Sequence, residues 1–164
     1  MIDRLQSREQ SQTVGTKKHR RWSLRERVNG QYWRMAHRRR VLISLSQIFR
    51  DDLTIYPLQY EEAIGHLVAL RRAVEYAHQF YSTLDPESMK LIQPWGTITK
   101  LADFENQATE LLLCIVAMQE ANTQEQVLIR VQVHLVIRQL FPVLLNSFDD
   151  LVSQLGALPG KVEE

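Results

Sequence analysis

The stretch that decides the fold is residues 57–84, PLQYEEAIGHLVALRRAVEYAHQFYSTL. Its apolar positions recur every three to four residues, which is the spacing of a helix with one buried face. These positions are Ala63, Leu67, Leu70, Val74, Ala77, Tyr81 and Leu84. Pro57 suits the first turn, and Pro86 predicts an end near Asp85 because the residue before a proline disfavours helical dihedrals. The stretch therefore predicts one long amphipathic helix.

Towards the N-terminus, the sequence predicts a further helix that starts at Ser23. Ser23 and Glu26 form a capping box, in which each side chain bonds the backbone of the other residue. Asn29-Gly30 is a turn signal and predicts a break. Between residues 31 and 50 the apolar positions again have helical spacing; they are Met35, Leu42, Leu45 and Phe49.

Towards the C-terminus, residues 87–93 predict a short helix, and Thr97 is expected to cap a third long one. The core face of that helix is Leu101, Phe104, Ala108, Leu111, Ile115 and Met118. Thr123 to Gln126 form a second capping box, which predicts that another helix begins there.

Residues 127–137 fit two kinds of secondary structure. Apolar residues alternate with others, which is typical of a strand, and several of them are β-branched. No other segment offers a partner strand, and a lone strand would leave its backbone groups unpaired. We therefore predict a helix, with Pro142 kinking or restarting it and Gly156 capping its end.

These segments predict an all-α fold, an antiparallel helical bundle of four to five helices with a basic N-terminal arm. We expect a flexible arm at 1–22, one bundle domain at 23–158 and a frayed tail at 159–164. The lone cysteine, Cys114, lies in an apolar run and predicts a buried thiol in a reducing, cytoplasmic setting. The longest apolar run, 111–118, is too short to span a membrane, so no membrane association is expected.

Charge is distributed very unevenly along the chain. Residues 1–50 carry 13 Lys and Arg against 3 Asp and Glu, a net charge of +10, whereas residues 51–164 carry 7 against 16, a net charge of −9. Such a split predicts a polyanion-binding segment attached to an acidic body.

The basic residues cluster between positions 17 and 40. The candidate binding residues there are Lys17, Lys18, Arg20, Arg21, Trp22, Arg25, Arg27, Trp33, Arg34, Arg38, Arg39 and Arg40. Guanidinium groups bind phosphates bidentately and aromatic rings stack on bases, so nucleic acid, RNA or single-stranded DNA, is the predicted partner. The alternative is a solvated basic tail whose tryptophans pack on the bundle.

A second basic stripe is predicted on the helix that follows residue 126. Arg130, His134 and Arg138 are four residues apart and would share one helix face. The stripe could contact the same nucleic acid as the arm, or pair with glutamates of a neighbouring helix.

No catalytic motif is found, and we predict that the protein is not an enzyme and has no cofactor. Glycine-rich phosphate loops and the nucleophile elbow are lacking from the sequence. Glu75 and His78 match one half of a di-iron motif, and Glu62 and His66 share a helix face, but neither pair has the further ligands that a metal site needs. We therefore predict solvated side chains at these positions and no metal.

Two functions fit this pattern. The first is a non-catalytic accessory subunit that binds the nucleic-acid backbone within a larger ribonucleoprotein or DNA-handling complex, working with other protein subunits. Small helical subunits of CRISPR effector complexes and basic bundle proteins of retroelements are analogies at the level of the fold, carried by no shared motif. The second is a protein-interaction or scaffold bundle that could form a homo-oligomer and dock its arm on an acidic partner.

Overall fold

The computed structural model describes residues 23–50 and 57–158, and every regular element in these ranges is an α-helix. The helices are α1 (Leu24–Ala36), α2 (Arg39–Ile48), α3 (Pro57–Ser82), α4 (Pro86–Ile92), α5 (Trp95–Thr123) and α6 (Val127–Ala157). The all-α prediction is confirmed, and residues 127–137 belong to a helix. The predicted arm and tail, 1–22 and 159–164, lie outside the described residues.

The helices form a closed antiparallel ring with four sides, which are α3, α5, α6 and the α1–α2 pair. Helix α5 packs against α3 and α6, and the α1–α2 pair closes the ring by packing against both α6 and α3. Lys100 near the start of α5 bonds Asp150 near the end of α6 at 2.7 Å, so these helices run in opposite directions. Likewise Arg39 contacts Asp149 while Phe49 stacks on Phe141, which makes α1–α2 antiparallel to α6.

The core lies along the centre of this ring and matches the predicted apolar faces. Six of the seven positions predicted for the α3 face are buried on α3, and the seventh, Leu84, is half-buried just after α3 ends. All six predicted core residues of α5 are buried, and Phe104 lies with its ring centroid 5.5 Å from that of Phe148 on α6. Burying each such side chain contributes roughly 1.5–3 kcal/mol, so these faces explain why the helices assemble.

The first helix begins as predicted but breaks elsewhere. Ser23 caps α1 and its Oγ accepts the backbone N–H of Glu26 at 3.1 Å. The predicted break at Asn29-Gly30 is wrong, because α1 continues to Ala36 and the turn falls at 37–38. Burial of Val28 and Met35 on both sides of Gly30 outweighs the roughly 1 kcal/mol that a glycine costs inside a helix.

Both threonine caps predicted for the later helices are wrong. Thr97 is fully buried inside α5, which starts two residues earlier at Trp95. Thr123 is the last residue of α5 and its hydroxyl donates to the carbonyl of Gln119 at 3.0 Å. The chain reverses at Glu125, whose φ of 57° lies in the left-handed region, so α6 begins at once without a side-chain cap.

Helix α6 neither restarts at Pro142 nor ends on a glycine cap. It runs without interruption from Val127 to Ala157 with Pro142 inside it. Proline removes one backbone hydrogen bond, but burial of Phe141 and Leu144 beside it holds the helix together. Gly156 lies within the last turn, facing the ring of Tyr32 on α1.

Two glycines of the bundle are expected to respond oppositely to alanine. A Cβ on Gly30 would meet nothing within 4 Å, so Gly30→Ala should raise the free energy of unfolding by about 0.5–1 kcal/mol. A Cβ on Gly156 would lie 3.0 Å from Cε2 of Tyr32, so that ring must shift and the helix-propensity gain is lost. Urea denaturation of both variants checks this, and an equal gain at Gly156 would contradict the close packing against Tyr32.

Candidate functional site

The α1–α2 segment carries most of the positive charge that the structure describes. Residues 23–50 contain seven arginines and one carboxylate, Glu26. Seven of the predicted site residues lie in this segment: Arg25, Arg27, Trp33, Arg34, Arg38, Arg39 and Arg40. All of them are exposed except Arg38, which is half-buried. Lys17, Lys18, Arg20, Arg21 and Trp22 lie outside the described residues. The exposed surface of α1–α2 is therefore strongly basic.

A groove between α2 and α6 brings three arginines together. It encloses about 550 Å³, with Arg39 and Arg50 on the α2 side and Arg138 on the α6 side. Its apolar wall includes Ile43, Phe141 and Leu145. A polar and apolar lining of this kind suits a ligand that has both a charged group and a flat apolar surface.

One carboxylate, Asp149, also lines this groove and binds Arg39 with both oxygens. The Nε atom of Arg39 lies 2.8 Å from Oδ1 of Asp149 and its Nη2 lies 3.3 Å from Oδ2. This bidentate pair fixes the plane of the Arg39 guanidinium. Both side chains are about half exposed, so the pair is screened by water and adds little stability.

The groove continues onto the outward side of α2. A second concavity of about 620 Å³ is lined by His37, Arg40 and Gln47, and it shares Arg39 with the first. We call the joined surface the basic groove and define it by Arg39, Arg40, Arg50 and Arg138. Arg50 of the basic groove and His37 of the second concavity are absent from the residues predicted from sequence, although both belong to the basic first fifty residues.

The predicted stripe of Arg130, His134 and Arg138 does not form one surface. His134 is 3% exposed, and Arg130 is half-buried with its Nη1 donating to Asn122 Oδ1 at 2.9 Å. Arg138 alone is exposed, and it joins the basic groove. Positions four apart on a helix drift by roughly 40° each, so the three residues do not stay on one line of the helix surface: His134 faces the core, Arg130 lies at its edge and Arg138 faces water.

An exposed aromatic ring lies near the groove on α1. Trp33 is 58% exposed, with its centroid 5.0 Å from Tyr32 in an edge-to-face pair and 6.2 Å from His37. The next residue, Arg34, turns towards α3 and lies 4.8 Å from the ring centroid of Tyr76. Trp33 therefore presents a ring to solvent one helical turn before the groove begins.

The titratable groups elsewhere do not assemble a reactive centre in the described ranges. Glu62 and His66 are 3.6 Å apart, and His78 lies 3.8 Å from Glu105. No group of three or more such side chains could share a metal ion in residues 23–50 and 57–158. Cys114 is half-buried, and burial, with a smaller effect of Glu110, raises the pKa of its thiol, which favours the unreactive protonated form.

A second surface, apolar and uncharged, lies on the outward side of α6. We call it the apolar face and define it by Leu128, Ile129, Gln132, Leu135, Val136, Gln139 and Val143, all of them exposed. Among the described helices, α6 has the length and the apolar composition that a membrane span requires, and 22% of its most apolar window is buried in the bundle.

Comparison with known proteins finds no matching family model, no matching curated protein and no matching solved structure.

Proposed function

We propose that this protein is a non-catalytic helical subunit that binds the phosphate backbone of RNA or single-stranded DNA through the basic groove. The observation that carries the proposal is that Arg39 and Arg50 on the α2 side and Arg138 on α6 line one groove, which Arg39 joins to a neighbouring concavity lined by Arg40. Three of these guanidinium groups lie on α2 and α6 and the fourth, of Arg50, follows α2 directly, so together they provide directed donors for successive phosphates. Such contacts position a strand without chemistry on it.

Trp33 extends this surface with a different kind of contact. Its exposed indole lies on α1, which precedes α2 along the same side of the bundle. Stacking of a base on an aromatic side chain contributes about 1–3 kcal/mol and needs unpaired bases. The proposed ligand is therefore single-stranded, with its backbone along the basic groove and a base on Trp33.

Asp149 weakens phosphate binding in the groove modestly. A phosphate that binds Arg39 must compete with the carboxylate 2.8 Å away. The competition costs little because the pair is exposed to water. It also keeps the groove selective for groups that can bind several arginines at once, as a polyphosphate backbone does.

The other long helices carry the opposite charge and direct the ligand to one side. Glu61, Glu62 and Glu75 are exposed on α3, and Glu110 and Glu120 are exposed on α5. These carboxylates repel a polyanion, so the basic side of the bundle is the side that faces it. A larger complex would add subunits on the remaining surfaces.

The proposal predicts a salt-dependent affinity that falls when the groove loses its charge. In the triple variant Arg39→Gln/Arg40→Gln/Arg138→Gln, the slope of log affinity against log salt should fall by about 2, since each lost phosphate contact on a single strand removes roughly 0.7. Fluorescence anisotropy with a labelled single-stranded oligonucleotide, from about 50 to 200 mM salt, measures this slope.

A matched control separates local contacts from net charge. The variant Arg72→Gln/Lys90→Gln/Lys100→Gln removes the same three charges from α3, α4 and α5, away from the groove. It should keep most of the slope. Equal losses in the two variants, or no binding of the unmodified chain to any single strand at about 50 mM salt, would refute the groove as the binding site.

Trp33→Ala should weaken binding to single strands and leave the salt slope nearly unchanged, because stacking releases no counterions.

A further inference from the structure

The outward side of α6 is uncharged over four turns. Of the seven residues that define the apolar face, five are aliphatic and two are glutamines. The two arginines in the same stretch point elsewhere, since Arg130 bonds Asn122 of α5 and Arg138 lines the groove with α2. A helix that shows apolar residues to water on this scale has a partner in most proteins.

The area of the apolar face fits a protein interface. Its five aliphatic side chains are between 42% and 72% exposed. At roughly 100 Å² each they expose about 500 Å², which is near the upper limit for a patch on an ordinary monomer. With Gln132 and Gln139 the surface approaches the roughly 800 Å² that each partner buries in a standard interface.

We propose that the apolar face pairs with the same face of a second copy, with the two α6 helices antiparallel about a two-fold axis between Leu135 and Val136. The face is nearly symmetric about that midpoint. Three pairs lie at equal distances on either side of it: Leu128 and Val143, Gln132 and Gln139, and Leu135 and Val136. The exception is Ile129, which falls opposite the exposed Pro142. Rotation about the axis places aliphatic residues on aliphatic residues and Gln132 on Gln139, which is the self-complementarity that a two-fold interface requires.

The spacing within the face also suits helix pairing. Leu128 and Leu135 are seven residues apart, as are Ile129, Val136 and Val143. A seven-residue repeat keeps one seam facing a partner helix along its whole length. The two glutamines lie between these positions, where their amides can donate to and accept from each other across the axis.

Charge at the ends of the face disfavours a membrane as the occupant. Asp149 and Asp150 are exposed beyond Val143. The same exposed carboxylates, with Glu120 and Glu125 at the other end, disfavour docking of this face on an anionic membrane.

The antiparallel arrangement has a consequence for the basic groove. The two-fold axis runs perpendicular to the plane that contains the two α6 helices. Rotation about it does not change direction along the axis, so the side of α6 that faces α2 points the same way in both copies. The two basic grooves would then open towards one surface of the dimer, doubling the number of arginines along it. The dimer itself follows from the apolar face and does not depend on nucleic-acid binding.

Sedimentation velocity of the full chain without nucleic acid tests the pairing. We expect a reversible dimer below about 100 µM, and Leu135→Glu should weaken association by about 100-fold because it places two carboxylates at the axis. Leu91→Glu is the control, since Leu91 is 51% exposed on α4 and off the apolar face. Circular dichroism should show the same helix content in all three proteins, because both sites are exposed.

Two glutamine variants test the direction of the helices. Gln132→Lys/Gln139→Lys should dissociate the dimer, while Gln132→Lys/Gln139→Glu should restore it, because only antiparallel pairing sets each lysine against a glutamate of the other copy. A chain that stays monomeric to about 100 µM would overturn the proposal. So would a dimer that survives Leu135→Glu, a charge pair that fails to restore association, or a monomer that uses Leu135 to bind phosphatidylcholine vesicles.

Discussion

Replacing Phe49 with alanine is expected to lower the free energy of unfolding by about 3–5 kcal/mol. Phe49 is fully buried at the end of α2, where its ring centroid lies 5.9 Å from Phe141 of α6 and 6.4 Å from Tyr60 of α3. It is the point at which α2 meets both neighbours, so removing the ring leaves a cavity that no single helix can fill by moving. Urea denaturation followed by circular dichroism measures the loss.

The control for Phe49 is an aromatic residue of the neighbouring helix that faces water. Trp33→Ala removes a larger side chain, but Trp33 is 58% exposed, so we expect a loss of less than about 1 kcal/mol. If the two variants unfolded at the same urea concentration, Phe49 would not be anchoring α2 to the bundle. A domain of this size has a total stability of only about 5–15 kcal/mol, so the loss expected for Phe49→Ala is a large part of the total.

The buried faces of α3 and α5 could be predicted from sequence because apolar residues at helical spacing follow one side of each helix along most of its length. Leu67, Leu70 and Val74 on α3 are buried where the spacing predicts, and so are Leu111 and Ile115 on α5. A clear contrast between sides fixes the rotation of a helix about its axis. The antiparallel order followed because the connections between these helices are short.

The rotation of α6 could not be predicted because its first half carries apolar residues on every side. Ile137 and Phe141 face the core, while Leu135 and Val136 face water, although all four are of similar hydrophobicity. Because the sides of the helix do not differ clearly in polarity, the spacing of Arg130, His134 and Arg138 predicts that they share a face but not whether that face points to the core or to water. Contacts with α2 and α5 decide that direction, and they separate Arg138 from the other two.

Helix ends were predicted well only where the local signal was not opposed by packing. Asp85 caps α4, with Oδ2 accepting the backbone N–H of Ser88 at 3.2 Å, next to the proline that predicted the boundary. Thr97 carries an equally good local signal, yet it is buried because α5 starts earlier. A cap contributes about 1 kcal/mol, which is less than burial of a neighbouring apolar side chain provides.

Tyr81 is expected to make the protein sensitive to alkaline pH. Its side chain is fully buried, and its hydroxyl has no hydrogen-bond partner among the described residues. Burial raises the pKa of Tyr81 far above the ordinary value of 10.0, because the phenolate cannot be solvated in the core. Burial also raises the pKa of Tyr60, where Arg130 partly opposes the effect.

The sign of the effect follows from which state loses its proton first. Above pH 10 the unfolded chain ionises Tyr81 while the folded chain keeps it protonated, so the free energy of unfolding falls by up to about 1.4 kcal/mol for each further pH unit. Tyr81→Phe should remove this loss at pH 11, and near neutral pH it should leave stability unchanged or slightly higher, because it deletes a buried hydroxyl without a partner. Urea denaturation at pH 8 and pH 11 measures both values, with Tyr76→Phe, at an exposed site on the same helix, as the control. If Tyr81→Phe lost as much stability between the two pH values as the unmodified chain, Tyr81 would have to ionise in the folded protein, and its hydroxyl would then be reached by water.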